Sequence, residues 1–533
     1  MKDPNKVSTQ SGFLGHVERL GNRLPDPVFL FVYLIGIVIL ISVVCSWVGV
    51  SAEHPTQMVE DGSGPLVLNA KSLLSAENIQ NVWVEMPKTF THFHPLGYVL
   101  VVMLGAGVAE RSGLFASGIK SVIRYTPKSL LTPTVALVAM LSNHAADAGY
   151  VVAIPLAAIV FAAAGRHPLA GIAAGFAGVS GGFSANFTPG QLDALLFGVT
   201  EAAVESAQLE AGWTMNIAGN WFFIVALLLV YLPVIWYVTD KIIEPRLGTW
   251  TPGESHQDSF GENDKPLTDG QLKGLRHAGL AILGVGLFWL AMTFGPGTPL
   301  LDDSPGTENQ AWYVTATPFF KSLVGAFMIV FLAAGWFYGK AAGTIKTSDD
   351  LVSMMTDSMK DMGYYLVLSF VAAHFVAMFG WSNLGLISAV HGAGAIESSG
   401  LPLPVVIGLI VLFSAVLNLF VGSASAKWAL LAPVLVPMLM LLGVSPEGAT
   451  AAYRVGDGAT NIISPLMVYF PLVLIFAQRW QKDFGIGSLT AMMIPYSIWM
   501  LVTGTVLMIL WMTLGISLGP GAPMGIELPG VQP

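Results

Sequence analysis

The sequence predicts an all-α polytopic membrane protein, and three observations carry that prediction. Hydrophobic residues make up 54% of the 533-residue chain and charged residues only 11%, against about 25% charged in a soluble domain. Apolar runs of span length recur, the first being Pro27 to Val50 without one charge; a bilayer core of about 30 Å needs about 20 such residues. Lysine and arginine gather in alternate loops, as the positive-inside rule requires. The same composition excludes other classes. The 29 Phe and 14 Trp exclude disorder, and the one cysteine, Cys45, excludes a disulfide or Cys-based metal framework. A formal charge of −9 offers no basic surface to nucleic acid.

The elements follow in order. The polar arm 1–26 carries Lys2, Lys6, Arg19 and Arg23 and is placed in the cytoplasm. The run after it is too long for a signal peptide and reads as the first span, 27–50. Further spans read near 95–109, 168–190, 215–239, 276–295, 317–339, 363–381, 447–477 and 489–516, nine in all. The stretches 130–164 and 402–443 are too long for one span and break at Ser142–Gly149 and Gly422–Lys427. Each reads as a re-entrant hairpin, because non-helical backbone at membrane depth is tolerated only inside protein or beside water. Arg111, Lys120, Arg124 and Lys128, the 240–275 loop, Lys340, Lys346, Lys360, Arg479 and Lys482 then fall inside. The acidic segments 191–212 and 297–316, the 51–94 loop and the tail 517–533 fall outside, which makes the C-terminus periplasmic.

The two halves share a pattern. Val179-Ser-Gly-Gly-Phe-Ser-Ala-Asn-Phe-Thr-Pro189 and Val455-Gly-Asp-Gly-Ala-Thr-Asn-Ile-Ile-Ser-Pro465 both read V-x-x-G-x-[ST]-x-x-x-[ST]-P, displaced by 276 residues. The first repeat is 27–239, with hairpin 130–164 and broken helix 168–190. The second is 317–516, with hairpin 402–443 and broken helix 447–477, and the linking helix 276–295 inverts it. Inverted repeats with broken helices mark secondary transporters, whose sites lie where the interruptions meet. The alternative is that the glycines merely permit close helix packing; that accounts for Gly171 to Gly178 but not for the polar run, the proline and the second copy.

Ionisable residues inside a membrane are costly and are functional candidates. Asp457 follows Arg454 by three residues, so the two share a face and can pair. In one reading the pair is structural. In the other, Arg454 anchors a carboxylate or sulfonyl group through its planar donor fork, and Asp457 binds the coupling cation or proton. Asn143 and Asp147 in the first hairpin offer oxygen donors to a hard cation, or cap the turn. Asp193 closes the first broken segment, as a coupling residue or an ordinary acidic loop residue. Asn186 is a candidate for the solute, and Asn418, Ser423 and Ser425 are the second hairpin's counterparts of Asn143 and Asp147. Trp428 stacks on an aromatic solute or fills space, and Lys427 needs an acid partner or water.

The runs Asn418–Pro433 and Tyr453–Pro465, with Ser142–Gly149, Ser180–Asn186 and Arg19–Pro27, resemble the p-aminobenzoyl-glutamate transporter (AbgT) family. The likeness covers nearly the whole chain. It implies a dimeric bacterial inner-membrane protein of nine spans and two hairpins. Family members are linked to uptake of p-aminobenzoyl-glutamate and to proton-driven export of sulfonamide antimetabolites. Carried over, the functional positions are Asp193, Asn418, Ser425, Trp428, Pro446, Arg454, Asp457 and Pro465, with a sodium ion implied near Asn418 and Asp457 for some members.

The expected function is therefore secondary active transport of a small aromatic or anionic solute, coupled to H⁺ or Na⁺, with H⁺ favoured. No enzymatic activity and no other cofactor are expected. The alternatives are a sodium-coupled dicarboxylate importer, a channel, and an intramembrane serine hydrolase using Ser180 and His144, on the match of Gly178–Gly182 to G-x-S-x-G.

Overall fold

The computed structural model describes residues 26–58, 65–124, 126–145, 149–209, 216–250, 266–294, 298–302, 312–464 and 466–528. Asp147 and Pro465 lie outside the described residues. The principal helices, numbered here in chain order, are α1 (Pro27–Val48), α2 (His94–Arg111), α3 (Leu114–Arg124), α4 (Leu131–Leu141), α5 (Ile154–Ala163), α6 (Pro168–Phe176), α7 (Gln191–Ala207), α8 (Trp221–Tyr237) and α9 (Asp269–Phe294). They continue as α10 (Leu323–Ala342), α11 (Ser348–Asp361), α12 (Gly363–Trp381), α13 (Leu384–Ser398), α14 (Leu403–Asn418), α15 (Ala424–Leu441), α16 (Pro446–Asn461), α17 (Phe470–Trp480) and α18 (Ile486–Thr513).

Among the described residues, seven helices are long and apolar enough to cross a membrane: α1, α8 with its extension to Leu247, α9, α10, α12, α15 and α18. The pair α2 and α3, bent by 60°, makes an eighth if counted as one span. The expected spans 168–190 and 447–477 are each split. The first runs as α6, a wide turn Ala177–Gly181 and irregular backbone to Gly190; the second as α16, a break, and α17. Glycines and small polar residues explain the first interruption, since they hold a helix weakly; at the second, Pro465 follows Ser464 in the sequence, and a proline disfavours helical backbone at the residue before it.

Four segments differ from their sequence reading. The acidic 191–212 stretch, expected as an outer loop, is mostly the helix α7, because its leucines and Phe197 bury against α2 and α15 while its glutamates reach His94 and Tyr98. The 110–128 segment contains α3, whose apolar face packs on α4 and α5. The 51–94 loop holds an antiparallel pair, β1 (Ser51–Met58) and β2 (Pro65–Asn69), a small exception to the all-α expectation. The tail folds back: Ser445 donates its N–H to the Met524 carbonyl at 3.0 Å and Phe223 to that of Leu518 at 3.1 Å, with Leu518, Ala522 and Met524 buried.

A polar network ties the end of the first helical pair to α8. Arg166, after α5, donates to Glu244 (Nε, 3.0 Å), Asp240 (2.6 Å) and Thr132 (2.7 Å), its guanidinium 4.4 Å above the Phe161 ring. The core sits where α16, the 177–181 turn, α8 and α18 converge.

Candidate functional site

Helix α16 begins at Ser445, whose Oγ accepts the Gly448 N–H at 3.1 Å, with Pro446 at the first helical position and Glu447 in the first turn. Those are ordinary helix-start chemistries. The surroundings are unusual, because every residue from Pro446 to Thr460 is buried. Small residues make this possible. A Cβ on Gly456 would run into the Val411 carbonyl and the Ala415 amide of α14, so glycine sets that close approach. Thr450, Arg454 and Asp457 fall at helical spacing and form a polar stripe along one buried helix.

The stripe is neutralised from outside the helix. Arg454 Nη1 donates to Asp193 Oδ1 at 2.8 Å, with the side chains 2% and 8% exposed. Asp457 is in contact with the Lys427 ammonium of α15, those side chains being 2% and 1% exposed. The expected Arg454–Asp457 pairing is thus corrected. Three-residue spacing puts the two on one face, but each meets a better-placed opposite charge across a helix interface. Two cations and two anions cancel, and each pair joins α16 to another helix. Removing one partner of such a buried pair strands the other charge at a cost of about 3–5 kcal/mol.

Asn418, the last residue of α14, completes the second pair. Its Oδ1 accepts from Lys427 Nζ, and its Nδ2 donates to the Asp457 carbonyl at 2.6 Å and to Thr460 Oγ1 at 3.1 Å. The Trp428 indole is fully buried, stacked on Tyr453 with centroids 4.6 Å apart, and its Nε1 donates to Thr200 Oγ1 at 2.9 Å. Ser425 lies 3.2 Å, oxygen to oxygen, from Ser423, the N-cap of α15.

From the first half, Asp193 sits in the first turn of α7. Its Oδ2 accepts the Gly190 N–H at 2.8 Å while Oδ1 holds Arg454. His144, at the break after α4, lies 3.1 Å from Thr188 Oγ1 and against Gly190, where a Cβ would strike its ring. The first helical pair, the first broken segment and α16 therefore meet around Asp193. Asn143 donates its amide to the Met140 carbonyl at 2.8 Å, a local cap. Asn186 accepts the Phe187 N–H at 3.3 Å and bonds its own N–H to Ile224. Among the described residues, neither asparagine is hydrogen-bonded to Arg454, Asp457 or Lys427. The two copies of the repeated motif do touch: a Cβ on Gly458 would lie 3.0 Å from the Gly181 carbonyl oxygen.

Sequence reasoning passed over Thr200, Tyr453 and Thr460, which look like helix-packing residues until their partners are known. Lys427 carried a signal, a charge with no visible partner. Beside the second break lies a cavity of about 550 Å³, lined by Asp26, Tyr364, Gly422, Ser423, Leu466 and Val468 among others. Tyr364 donates to Asp26 at its edge, 3.1 Å to Oδ1.

The AbgT transporter family model, ABG_transport, matches residues 12–526. The chain belongs to that family. It is 38% identical over 517 residues to the p-aminobenzoyl-glutamate transport protein of Escherichia coli (strain K12), covering 96% of this chain and 97% of that one. Among solved structures, the Alcanivorax borkumensis YdaH transporter superposes with a TM-score of 0.84 at 39% identity, covering 93% of this chain and 100% of that chain. Neisseria gonorrhoeae MtrF, described as illuminating a class of antimetabolite efflux pumps, superposes with a TM-score of 0.87 at 38% identity, covering 96% and 100%. With its apolar helices, this AbgT-family chain is a multi-pass inner-membrane transporter protein.

Proposed function

We propose that this protein is a secondary active transporter that moves p-aminobenzoyl-glutamate, exports sulfonamide-type antimetabolites, or does both, driven by an ion gradient in which H⁺ is favoured over Na⁺. The observation that carries the reading is Arg454. It is a buried guanidinium at the junction of the two halves, shared with only one oxygen of Asp193, and its Nε has no hydrogen-bond partner among the described residues. A fork with unused donors suits a carboxylate or sulfonyl oxygen. The names of the E. coli relative and of MtrF supply the solute class.

The proposed architecture is nine spans and two re-entrant hairpins in an inverted repeat, 27–239 against 317–516, assembled as a homodimer with a cytoplasmic N-terminus and a periplasmic C-terminus. The Gly181–Gly458 approach supports the repeat, since equivalent breaks meet near the axis of such a fold. In that orientation the 550 Å³ cavity opens to the cytoplasm and leads to the tip of the second hairpin. Its size is within the range of small-molecule sites. Solute arriving there competes with Asp193 for Arg454. Proton uptake by Asp193 loosens its pair with Arg454 and lets the halves part, while proton uptake by Asp457 loosens its pair with Lys427 inside the second half, so solute and proton exchange in one cycle. Asn143, Asp147 and Asn186 serve the first hairpin and broken segment, with Ser425, Trp428, Pro446 and Pro465 shaping the second side.

The hydrolase alternative lacks its central contact. The Ser180 hydroxyl has no hydrogen-bond partner among the described residues, and the His144 ring is held by Thr188. A nucleophilic serine needs its base within reach.

The deciding experiment follows radiolabelled p-aminobenzoyl-glutamate and a sulfonamide in proteoliposomes under separate pH and sodium gradients. Movement driven by the pH gradient, lost in Arg454→Ala and Asp457→Asn, is the expected result. Movement of neither solute under either gradient defeats the proposal and turns the search to dicarboxylates.

A further inference from the structure

We propose that the ammonium of Lys427 is the resident cation of the Asn418–Asp457 position and that it excludes sodium from it. The AbgT resemblance implies, for some members, a sodium ion near these two residues, and a hard cation there needs oxygen donors. The side-chain oxygens of these residues include Asn418 Oδ1 and Asp457 Oδ1. Both are in contact with Lys427 Nζ. The donor set that would hold sodium is therefore already collected around a positive charge, one covalently attached to α15.

The amide cannot turn away to free its oxygen. Asn418 Nδ2 is held by the Asp457 carbonyl at 2.6 Å and by Thr460 Oγ1 at 3.1 Å. A flipped amide would put Oδ1 against a carbonyl oxygen and its N–H groups against an ammonium, two like-for-like encounters in place of two hydrogen bonds. Nor does the lysine have a route to water where it stands, because its side chain is 1% exposed. The next residue, Trp428, is stacked on Tyr453 at 4.6 Å and fixes that turn of α15. A sodium ion entering the same two oxygens would lie beside the ammonium and share the Asp457 carboxylate with it, Asp193 being bonded to Arg454 at 2.8 Å.

A tethered cation differs from a bound one in a single respect that matters for transport: it is never released. Lys427 then provides the charge balance of a cation site without drawing an ion from solution. This consequence rests on the transporter reading; the occupancy of the position does not.

The test measures sodium binding rather than transport, on the purified full-length protein in detergent. Radiolabelled sodium binding and thermal unfolding are compared in sodium and potassium chloride at equal ionic strength. The wild type should bind no sodium saturably and should unfold at the same temperature in both salts. Lys427→Gln, which keeps a hydrogen-bonding group and loses the charge, should gain saturable sodium binding and a sodium-specific rise in unfolding temperature, because a ligand that binds only the folded state stabilises it. Adding Asp457→Asn to that variant should abolish both gains. Lys427→Arg should stay silent like the wild type.

Saturable sodium binding by the wild type, lost in Asp457→Asn, overturns the proposal. So does a folded Lys427→Gln that gains nothing. If that variant folds only when purified in sodium, the same exchange has been read at the level of folding. If it and Lys427→Met fold in neither salt, sodium cannot stand in for the ammonium and the proposal falls. A protein that moves no solute leaves all these outcomes unchanged, so failure of the transporter reading is a separate result.

Discussion

Arg454 and Asp193 lie 261 positions apart in the chain and 2.8 Å apart in space, one from each half of the sequence. Removing Arg454 strands a carboxylate whose other oxygen is already committed to the Gly190 N–H. Arg454→Ala should therefore cost about 3–5 kcal/mol of stability. Asp193→Asn in the same chain should return much of it without restoring solute movement. Thermal unfolding beside an uptake assay reads both quantities. If the double variant transports normally, the arginine serves structure alone.

Trp428 makes a stacking contact and one hydrogen bond, and the two can be separated. Trp428→Phe keeps a ring against Tyr453 and loses the bond to Thr200, a loss of about 1 kcal/mol. Trp428→Ala opens a large void as well and should cost about 3–5 kcal/mol. Combining Trp428→Phe with Thr200→Val should cost less than the two singles together, because they delete one shared bond. Additive costs in chemical denaturation would deny the coupling.

The cavity beside the second break predicts one-sided access. Cys45 is the chain's one cysteine, so Ser423→Cys in a Cys45→Ser background reports on a single thiol. An impermeant thiol reagent should modify it from the side that carries Asp26 and not from the other. Replacing Tyr364 by Phe removes its bond to Asp26 at the cavity edge and should speed the labelling. Labelling from the opposite side alone would reverse the proposed orientation.

Helix α11 begins with a reciprocal cap whose strength depends on pH. Asp350 Oδ2 accepts the N–H groups of Thr347 and Lys346, each at 2.9 Å, and these bonds hold its carboxyl below the ordinary carboxylate value. The folded value is the lower one, so the cap's contribution is fully present above the unfolded value of about 3.9. It is lost as pH falls through the folded value. Hydrogen-exchange protection of residues 346–350 should drop in that acid range, and Asp350→Asn should flatten the dependence. A pH-independent wild type would dismiss the role of the carboxylate.

Much of this arrangement was legible because intramembrane charge is expensive and so stands out. Arg454, Asp457 and Lys427 could be named from a sequence in which few charges lie inside apolar runs, and Lys427's need for an acid is met by Asp457. Partner choice was not legible. Helical spacing says which residues share a face, while the Arg454–Asp193 contact depends on how the two halves dock. The glutamates of α7 read as an outer loop because charge outweighs the weaker apolar periodicity of Leu192, Leu195 and Leu196. His94, which contacts Glu201 and Glu205, lies roughly a hundred positions upstream. The Arg166 network was invisible for the same reason, since Glu244 is 78 positions away.

The returning tail has a consequence for the order of assembly. The N–H of Ser445, the residue that starts the helix bearing Arg454 and Asp457, takes its backbone partner from Met524. A ribosome makes the chain from the other end. The start of α16 therefore waits for its partner until some sixty residues after α16 has been synthesised, and receives that tether only when the 518–526 segment has emerged. Premature termination between Asp457 and that segment would leave all the charged residues of the site present and the helix that presents them unfastened at its start.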